Sequence, residues 1–451
     1  MKPPRASWWL VLIAMDMIYC SAGCLGNTEV VVAALPKGRP AKLWNLNFIL
    51  LWQGQFVSAV GDVVYEIALG FWILATTGSV GLMGALMAAA TIPRVLISPF
   101  AGVIVDRSSR KWLLVAMDAV RGSAVVLVGI AALLEAAQVW MVFAAGIIIG
   151  IGAAFFNPTI GSVLPDIISR EKLVQGNSFF SMIRAGSAIL GNSAGGFLYA
   201  AVGAPILFCV NGISYLFSAA TELFIRVPKV HRGVEASFMD DLKSGFAFVR
   251  RNTGLRFLII SSGVINFLAF IAIVLIIPLF QRSPSLGPAR YGFAVAVMTA
   301  GMIAGIGVTA SIAIPADRRF IVFAISTVAF VVPMAVFPLI GSYWLMLVLL
   351  GFGSLFGAII NVLIQSVIQL TVPREMRGKV FGLLETITQG LTPVGMAVGG
   401  LLGEFLPLKL VISGACIAIG VFIFPQLASP SIRAFFMMDQ GVGEGEIAGA
   451  G

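Results

Sequence analysis

The sequence predicts an all-α membrane protein, with twelve transmembrane helices arranged as two pseudo-symmetric six-helix bundles. Composition is the first reason. Of the 451 residues, 59% are hydrophobic and 11% charged, whereas soluble domains average about 45–50% apolar and about 25% charged residues. Spacing is the second reason, because the apolar residues fall in runs of the roughly 20 that a helix needs to cross a bilayer. The third is internal repetition. Arg170-Glu171 precedes Gly191 and Gly195-Gly196, and Arg374-Glu375 precedes Gly395 and Gly399-Gly400 at the same spacing, an offset of 204 residues. Strand-length alternation, the mark of an outer-membrane barrel, is absent.

The chain opens with an extension, 1–42, in which Lys2 and Arg5 precede an apolar run from Trp8 to Tyr19 that Asp16 interrupts. The run is too short for a full span and is expected to be signal-like or disordered. Six spans follow within 43–226, near 47–75, 80–105, 112–134, 138–164, 174–201 and 205–226. The connection 227–256 is the longest. It carries Asp240-Asp241, Phe246, Phe248 and Arg250-Arg251, a pattern that predicts an amphipathic helix lying in the membrane interface. Six more spans fill 257–427, near 257–280, 291–313, 319–341, 343–371, 380–403 and 408–427. The tail 428–451 turns glycine-rich and acidic after Met438 and is expected to be disordered. Lysines and arginines concentrate in the loops that follow even-numbered spans, and the opposite side holds only Arg282, Arg290 and Lys409. By the positive-inside rule, both bundle termini are then cytoplasmic, in the inner membrane of the cell.

Several function classes fall away. A net charge of +9 invites nucleic acid, but the basic residues sit at the ends of apolar runs, where they mark topology and meet lipid headgroups. His231 is the only histidine, so a multi-histidine metal centre is excluded, and no GxxxxGK[ST] loop is present. Four cysteines at scattered positions make no disulfide framework. No nucleophile–base pair lies within the spans. Neither an enzyme nor a cofactor or metal is expected.

The segment Gly102-Val-Ile-Val-Asp106-Arg107-Ser108-Ser109-Arg110-Lys111 forms a short cationic loop between two spans. It resembles the cytoplasmic signature of the major facilitator superfamily. The opening Asn47-Phe48, Trp52-Gln53-Gly54-Gln55, Ser58 and Gly61-Asp62 looks like that superfamily's macrolide- and siderophore-exporter branch. The resemblance spans about 43–427. It implies a monomeric secondary transporter that exports a drug, macrolide-like compound or siderophore by proton antiport with alternating access. Import or lipid flipping by the same fold is the alternative, and a membrane receptor or scaffold is a third reading. Ser109 stands where the signature usually has glycine. Asn192 replaces a proline of the drug-antiporter motif in span 5, and the Gly146–Gly152 part of span 4 lacks an arginine that related antiporters often carry.

Candidate residues follow from position. In the cytoplasmic gate, Gly102 permits close helix approach. Asp106 is steadied by its basic neighbours, and Arg107, Arg110 and Lys111 pair across the surface. Asp118 and Arg121, three residues apart, read as an intrahelical or gate pair. Asp62 and Glu66 share one face of span 1 with Gln55 and Ser58. A carboxylate so deep needs a basic partner, a water-filled cavity or a proton. Proton coupling is therefore assigned to Asp62 and Glu66, with a structural ion pair to Arg94 or Arg184 as the alternative. Gln55, Arg94, Asn157, Arg184, Asn266, Asn361, Gln365, Glu385 and Gln389 are the candidate lining of a substrate cavity. Glu222 and Arg226 read as an end-of-helix pair. The spacings Gly146/Gly150, Gly191/Gly195, Gly301/Gly305, Gly353/Gly357 and Gly395/Gly399 predict helix packing.

Overall fold

A computed structural model describes residues 43–227, 238–312 and 314–437. The expectations for residues 1–42, for the start of the central connection and for the end of the tail lie outside the described residues. Every described secondary-structure element is helical. In chain order these are α1 Leu46–Thr77, α2 Val80–Arg107, α3 Arg110–Leu133, α4 Val139–Ile167, α5 Leu173–Glu222, α6 Phe238–Arg251, α7 Thr253–Val274, α8 Ile276–Arg282, α9 Gly287–Ser311, α10 Ala316–Val336, α11 Tyr343–Thr371, α12 Arg374–Phe405, α13 Leu408–Leu427 and α14 Pro430–Met437.

Local chemistry sets the ends. The Asn45 side chain accepts from Phe48 N at 3.0 Å and starts α1, and Ser79 caps α2 through Leu82 N at 3.1 Å. Asn252 starts α7 in the same way through Leu255 N. Gly78 ends α1 in the left-handed region, its N–H returning to Leu74 O. The 50 residues of α5 are two antiparallel helices joined at Gly203 (φ 76, ψ 168) with Pro205 just beyond: Gly191 and Gly195 meet Val63 and Ile67 of α1, whereas Asn211 and Ser218 meet Gly61 and Gly54. Only glycine adopts that backbone freely. Ten helices among the described residues are long and apolar enough to cross a membrane. One of them is α5, with length for two crossings. The 32-residue α12, whose first half is crowded with charged and hydroxyl residues, is not counted among them. Twelve crossings are consistent with this set.

The described residues fall into two compact units. The first holds 43–227 together with 280–296. In it α5 packs along both α1 and α3, α2 packs on α4, and α4 also meets α3. Residues 280–296 join this unit through Gln281 Nε2 to Phe71 O at 3.4 Å, Arg282 Nη2 to Gly78 O at 2.5 Å, and the Tyr291 ring edge-on to Phe71. The second unit holds 238–279 and 297–437. There α12 packs on α7 and α6, and α10 packs on α11 and α13. Its core gathers Leu258, Phe323, Leu363, Ile368, Val380 and Phe436.

The repeat is visible in the packing of each unit separately. In the first, a Cβ on Gly191 would sit 2.5 Å from Val63 Cβ, and one on Gly195 would sit 2.5 Å from Ile67 Cδ1. In the second, a Cβ on Gly395 would meet the Phe267 carbonyl oxygen at 2.6 Å, and one on Gly399 the Ile271 carbonyl oxygen at 2.7 Å. The glycines and their partners are all related by the same 204 residues. Small residues that let two helix backbones touch occupy the same position in both units.

Candidate functional site

The first unit encloses a polar cavity of about 230 Å³. Gln55, Ser58 and Asp62 reach it from one face of α1, Arg94 from α2, Arg121 from α3, Phe156 and Asn157 from α4, and Phe180 and Arg184 from α5. Asp62 lies 16 residues beyond the start of α1, about 24 Å along the axis. The wall therefore mixes one carboxylate, three arginines, three amide or hydroxyl side chains and aromatic rings at membrane depth. Phe180 also belongs to an aromatic cluster with Phe48, Trp44, Trp52, Phe56 and Phe179.

Asp62 is held from behind. Asn211, 1% exposed, donates from Nδ2 to Asp62 Oδ1 at 3.5 Å. The Asn211 amide is itself held by the Ser214 hydroxyl, which donates to Asn211 Oδ1 at 3.3 Å. The opposite charge acting on Asp62 is Arg121. Arg94 and Arg184 line the same cavity, and Arg94 also acts on Glu66. Glu66 is exposed, lies outside the cavity lining and has Tyr291 beside it.

Arg121 requires a correction. It and Asp118 form the expected intrahelical ion pair, but deeper in the span than its cytoplasmic end. Asp118 is 0% exposed and Arg121 5%. They stand 8 and 11 residues into α3, about 12 and 17 Å along its axis. The guanidinium lies over the rings of Tyr215 at 4.4 Å and Phe156 at 5.2 Å. Its stem fills the space left by Gly152, where a Cβ would sit 2.5 Å from Arg121 Cδ. The arginine missing from span 4 is thus supplied, at that place, by α3. Counting residues from the span end would have found this depth.

Glu222 requires a second correction. Instead of pairing with Arg226 it turns inward and is 1% exposed. Gln55 Nε2 donates to Glu222 Oε1 at 3.2 Å and to Ser218 Oγ at 3.1 Å. Arg226 is exposed, and its backbone N–H donates to Asn47 Oδ1 at 3.1 Å. A buried acceptor attracts a buried amide more strongly than an exposed cation holds a carboxylate in water.

At the α2–α3 loop, Arg110 is buried and pairs with Asp166 of α4 at 2.5 Å. Lys111 Nζ donates to Leu223 O, at the end of α5, at 2.6 Å. Asp106 and Arg107 lie in the last turn of α2, and the expectations for their side chains fall outside the described residues. Gly102 differs from expectation. A Cβ there would meet no atom of the described residues within 4 Å.

The other proposed lining residues are in the second unit. Thr392 Oγ1 donates to Asn266 Oδ1 at 2.9 Å, Gln365 Nε2 to Asn361 Oδ1 at 2.8 Å, and Gln389 Nε2 to Glu385 Oε1 at 2.9 Å. Asn361, Glu385 and Gln389 are exposed.

Known proteins share both the sequence pattern and the fold. The Major Facilitator Superfamily model matches residues 51–389 and 263–434. Macrolide efflux protein A of Streptococcus pyogenes is 23% identical over 392 residues, which is 85% of this chain and 96% of that protein. Multidrug efflux pump Tap of Mycobacterium bovis is 23% identical over 423 residues, 88% of this chain and 98% of that protein. Among solved structures, the nucleoside transporter NupG superposes with a TM-score of 0.64 at 17% identity, covering 85% of this chain and 99% of that one. A bacterial homologue of the iron transporter ferroportin, inward-facing, gives 0.59 at 16% identity, covering 85% and 98%.

Proposed function

Since the chain belongs to the Major Facilitator Superfamily, a family of membrane transporters and not of enzymes, we propose that it exports a moderately hydrophobic small molecule and is driven by proton antiport. The cargo class is a macrolide-like compound or another drug, in keeping with the names of its efflux relatives. One observation carries the proton assignment. Asp62 faces a polar cavity at membrane depth, with Arg121 as the opposing charge and Asn211 behind it.

A carboxylate in that setting has two ways to be neutralised, a proton or the guanidinium. When Arg121 turns to Asp118 or to a bound molecule, a proton on Asp62 removes the uncompensated charge. When the proton leaves, Arg121 serves both carboxylates. Exchange between these states, with access alternating between the two sides, ties proton entry to cargo exit. Glu66, next along the same face and beside Arg94, receives or delivers the proton on the side away from the cavity. Phe156, Phe180 and Ile183 supply apolar surface for the cargo, and Gln55, Ser58, Asn157 and Arg184 supply polar contacts. The protein acts as a monomer in a bacterial inner membrane, with both bundle termini on the cytoplasmic side, where basic loops are retained.

Uptake of a radiolabelled macrolide into inverted vesicles energised by a pH gradient tests the reading. The parent accumulates label and a protonophore abolishes accumulation. Asp62→Asn inserts normally but loses the dependence on the gradient. Accumulation that ignores the protonophore removes proton coupling, and gradient-dependent transport by Asp62→Asn removes this carboxylate from the mechanism.

A further inference from the structure

The buried charges between α3 and α5 do not balance. Asp118, Arg121 and Glu222 are 0%, 5% and 1% exposed. The guanidinium of Arg121 is bonded to Asp118 Oδ1, and Glu222 Oε1 accepts from the neutral amide of Gln55. Asp118 Oδ2 and Glu222 Oε2 are each buried with no hydrogen-bond partner. Two carboxylates and one guanidinium leave one negative charge inside a membrane protein, where an uncompensated charge is expensive.

Helix register places the two acids together. A Cβ on Gly122 would sit 2.9 Å from the Gly212 carbonyl and 2.8 Å from the Leu216 side chain, and one on Gly129 would sit 2.6 Å from Cys209 Sγ. As α3 advances, its partner positions on α5 recede, so the helices are antiparallel. One turn before Gly122, Asp118 therefore falls level with Ser218 to Glu222. Of the charged groups acting on Glu222, Asp118 is the strongest and Arg121 the next.

We propose that Asp118 and Glu222 form a proton-binding site, holding one proton between their two unpartnered oxygens, directly or through a single water. Protonation turns one carboxyl into an O–H donor while the other stays an acceptor, so both orphaned atoms are satisfied at once. It also removes the excess charge, because adjacent like charges do not both persist where solvent is excluded. The groups facing the site are Arg121 and Lys111 on α3, Tyr215 and Ser218 on α5, and Gln55 and Asp62 on α1. Lys111 is engaged with the Leu223 carbonyl. Two walls of the cavity, Arg121 and Gln55, are bonded to the site's two carboxyls. A shift of Arg121 towards Asp62 or towards an anionic group on cargo withdraws the counter-charge from the pair of acids. The site stands whether or not Asp62 carries the transported proton.

Infrared spectroscopy of the purified full-length protein in detergent, with no cargo present, tests this apart from any transport assay. At neutral pH the parent shows a carbonyl band of a protonated carboxyl. Glu222→Gln and Asp118→Asn, each of which leaves a single carboxylate for Arg121, both remove that same band. A set of protonated-carboxyl bands left unchanged by Glu222→Gln overturns the proposal. So do two different bands, one lost in each variant, since these are two separate protons. Should either variant fail to fold, the Asp62→Asn/Glu66→Gln protein with its remaining Glu and Asp carboxyl carbons labelled decides the matter by keeping or lacking the band. The absence of any protonated-carboxyl band at neutral pH overturns the proposal without a substitution.

Discussion

Arg121→Met separates the buried ion pair from the packing around it. Methionine keeps the aliphatic stem that occupies the space beside Gly152 and removes the guanidinium. Asp118, 0% exposed, then has neither oxygen paired. Removing one member of a buried ion pair costs about 3–5 kcal/mol, because the other charge stays buried. The lost contacts with the Tyr215 and Phe156 rings, at 4.4 and 5.2 Å, add about 0.5–1 kcal/mol each. We therefore expect a loss of about 4–7 kcal/mol in reversible unfolding in mixed micelles. Asp118→Asn in the same background removes the stranded charge and returns the larger share. The resulting double-mutant cycle shows a coupling above about 2 kcal/mol, whereas independent sites add to within about 0.5 kcal/mol. Arg121→Met within about 1 kcal/mol of the parent, or strict additivity of the two substitutions, would refute the placement of this pair in the interior.

Neighbouring residues should behave very differently at the α2–α3 loop. Arg110→Met breaks a pair at 2.5 Å whose side chains are 6% and 4% exposed, and it lowers unfolding free energy by about 3 kcal/mol. Lys111→Met removes only a cation at a helix C-terminus and lowers it by about 0.3–1 kcal/mol in the same assay. Gly191→Leu drives a side chain into Val63 where the helices leave no slack, and a thermal-shift assay should register an overpacking cost of about 1–3 kcal/mol. Gly203→Ala meets no crowding nearer than Pro205 Cδ at 3.7 Å, so its cost of about 1–3 kcal/mol is one of backbone strain alone. Equal stability of the parent and Gly203→Ala would show that the α5 break does not need a glycine.

The membrane class, the span positions and the 204-residue repeat were legible in the residues themselves. Run length against bilayer thickness and the spacing of small residues are properties of the chain, and hydropathy reads them without a structure. Gln55, Ser58 and Asp62 were legible as one helical face for the same reason. The partners of those residues were not. Asp118 and Arg121 read as an intrahelical or gate pair because three-residue spacing reports a shared face, which gave the ion pair, and says nothing of what the face meets. Glu222 read as an end-of-helix group because its helix ends there, yet its helix is rotated so that it faces Gln55. Gly102 read as a packing glycine, yet among the described residues no atom would lie within 4 Å of a Cβ there.

By itself, then, the sequence determined the helices, their repetition and the depth of each charge, since those follow from covalent order and transfer from water to lipid. The tertiary structure alone decided which groups meet across helices: Arg110 with Asp166, Gln55 with Glu222, and Asn211 with Asp62. The physical reason is that rotation and register between neighbouring helices are set by interdigitation at Gly122, Gly129, Gly152 and Gly191. Those contacts join segments distant in the chain, and hydropathy carries no information about them.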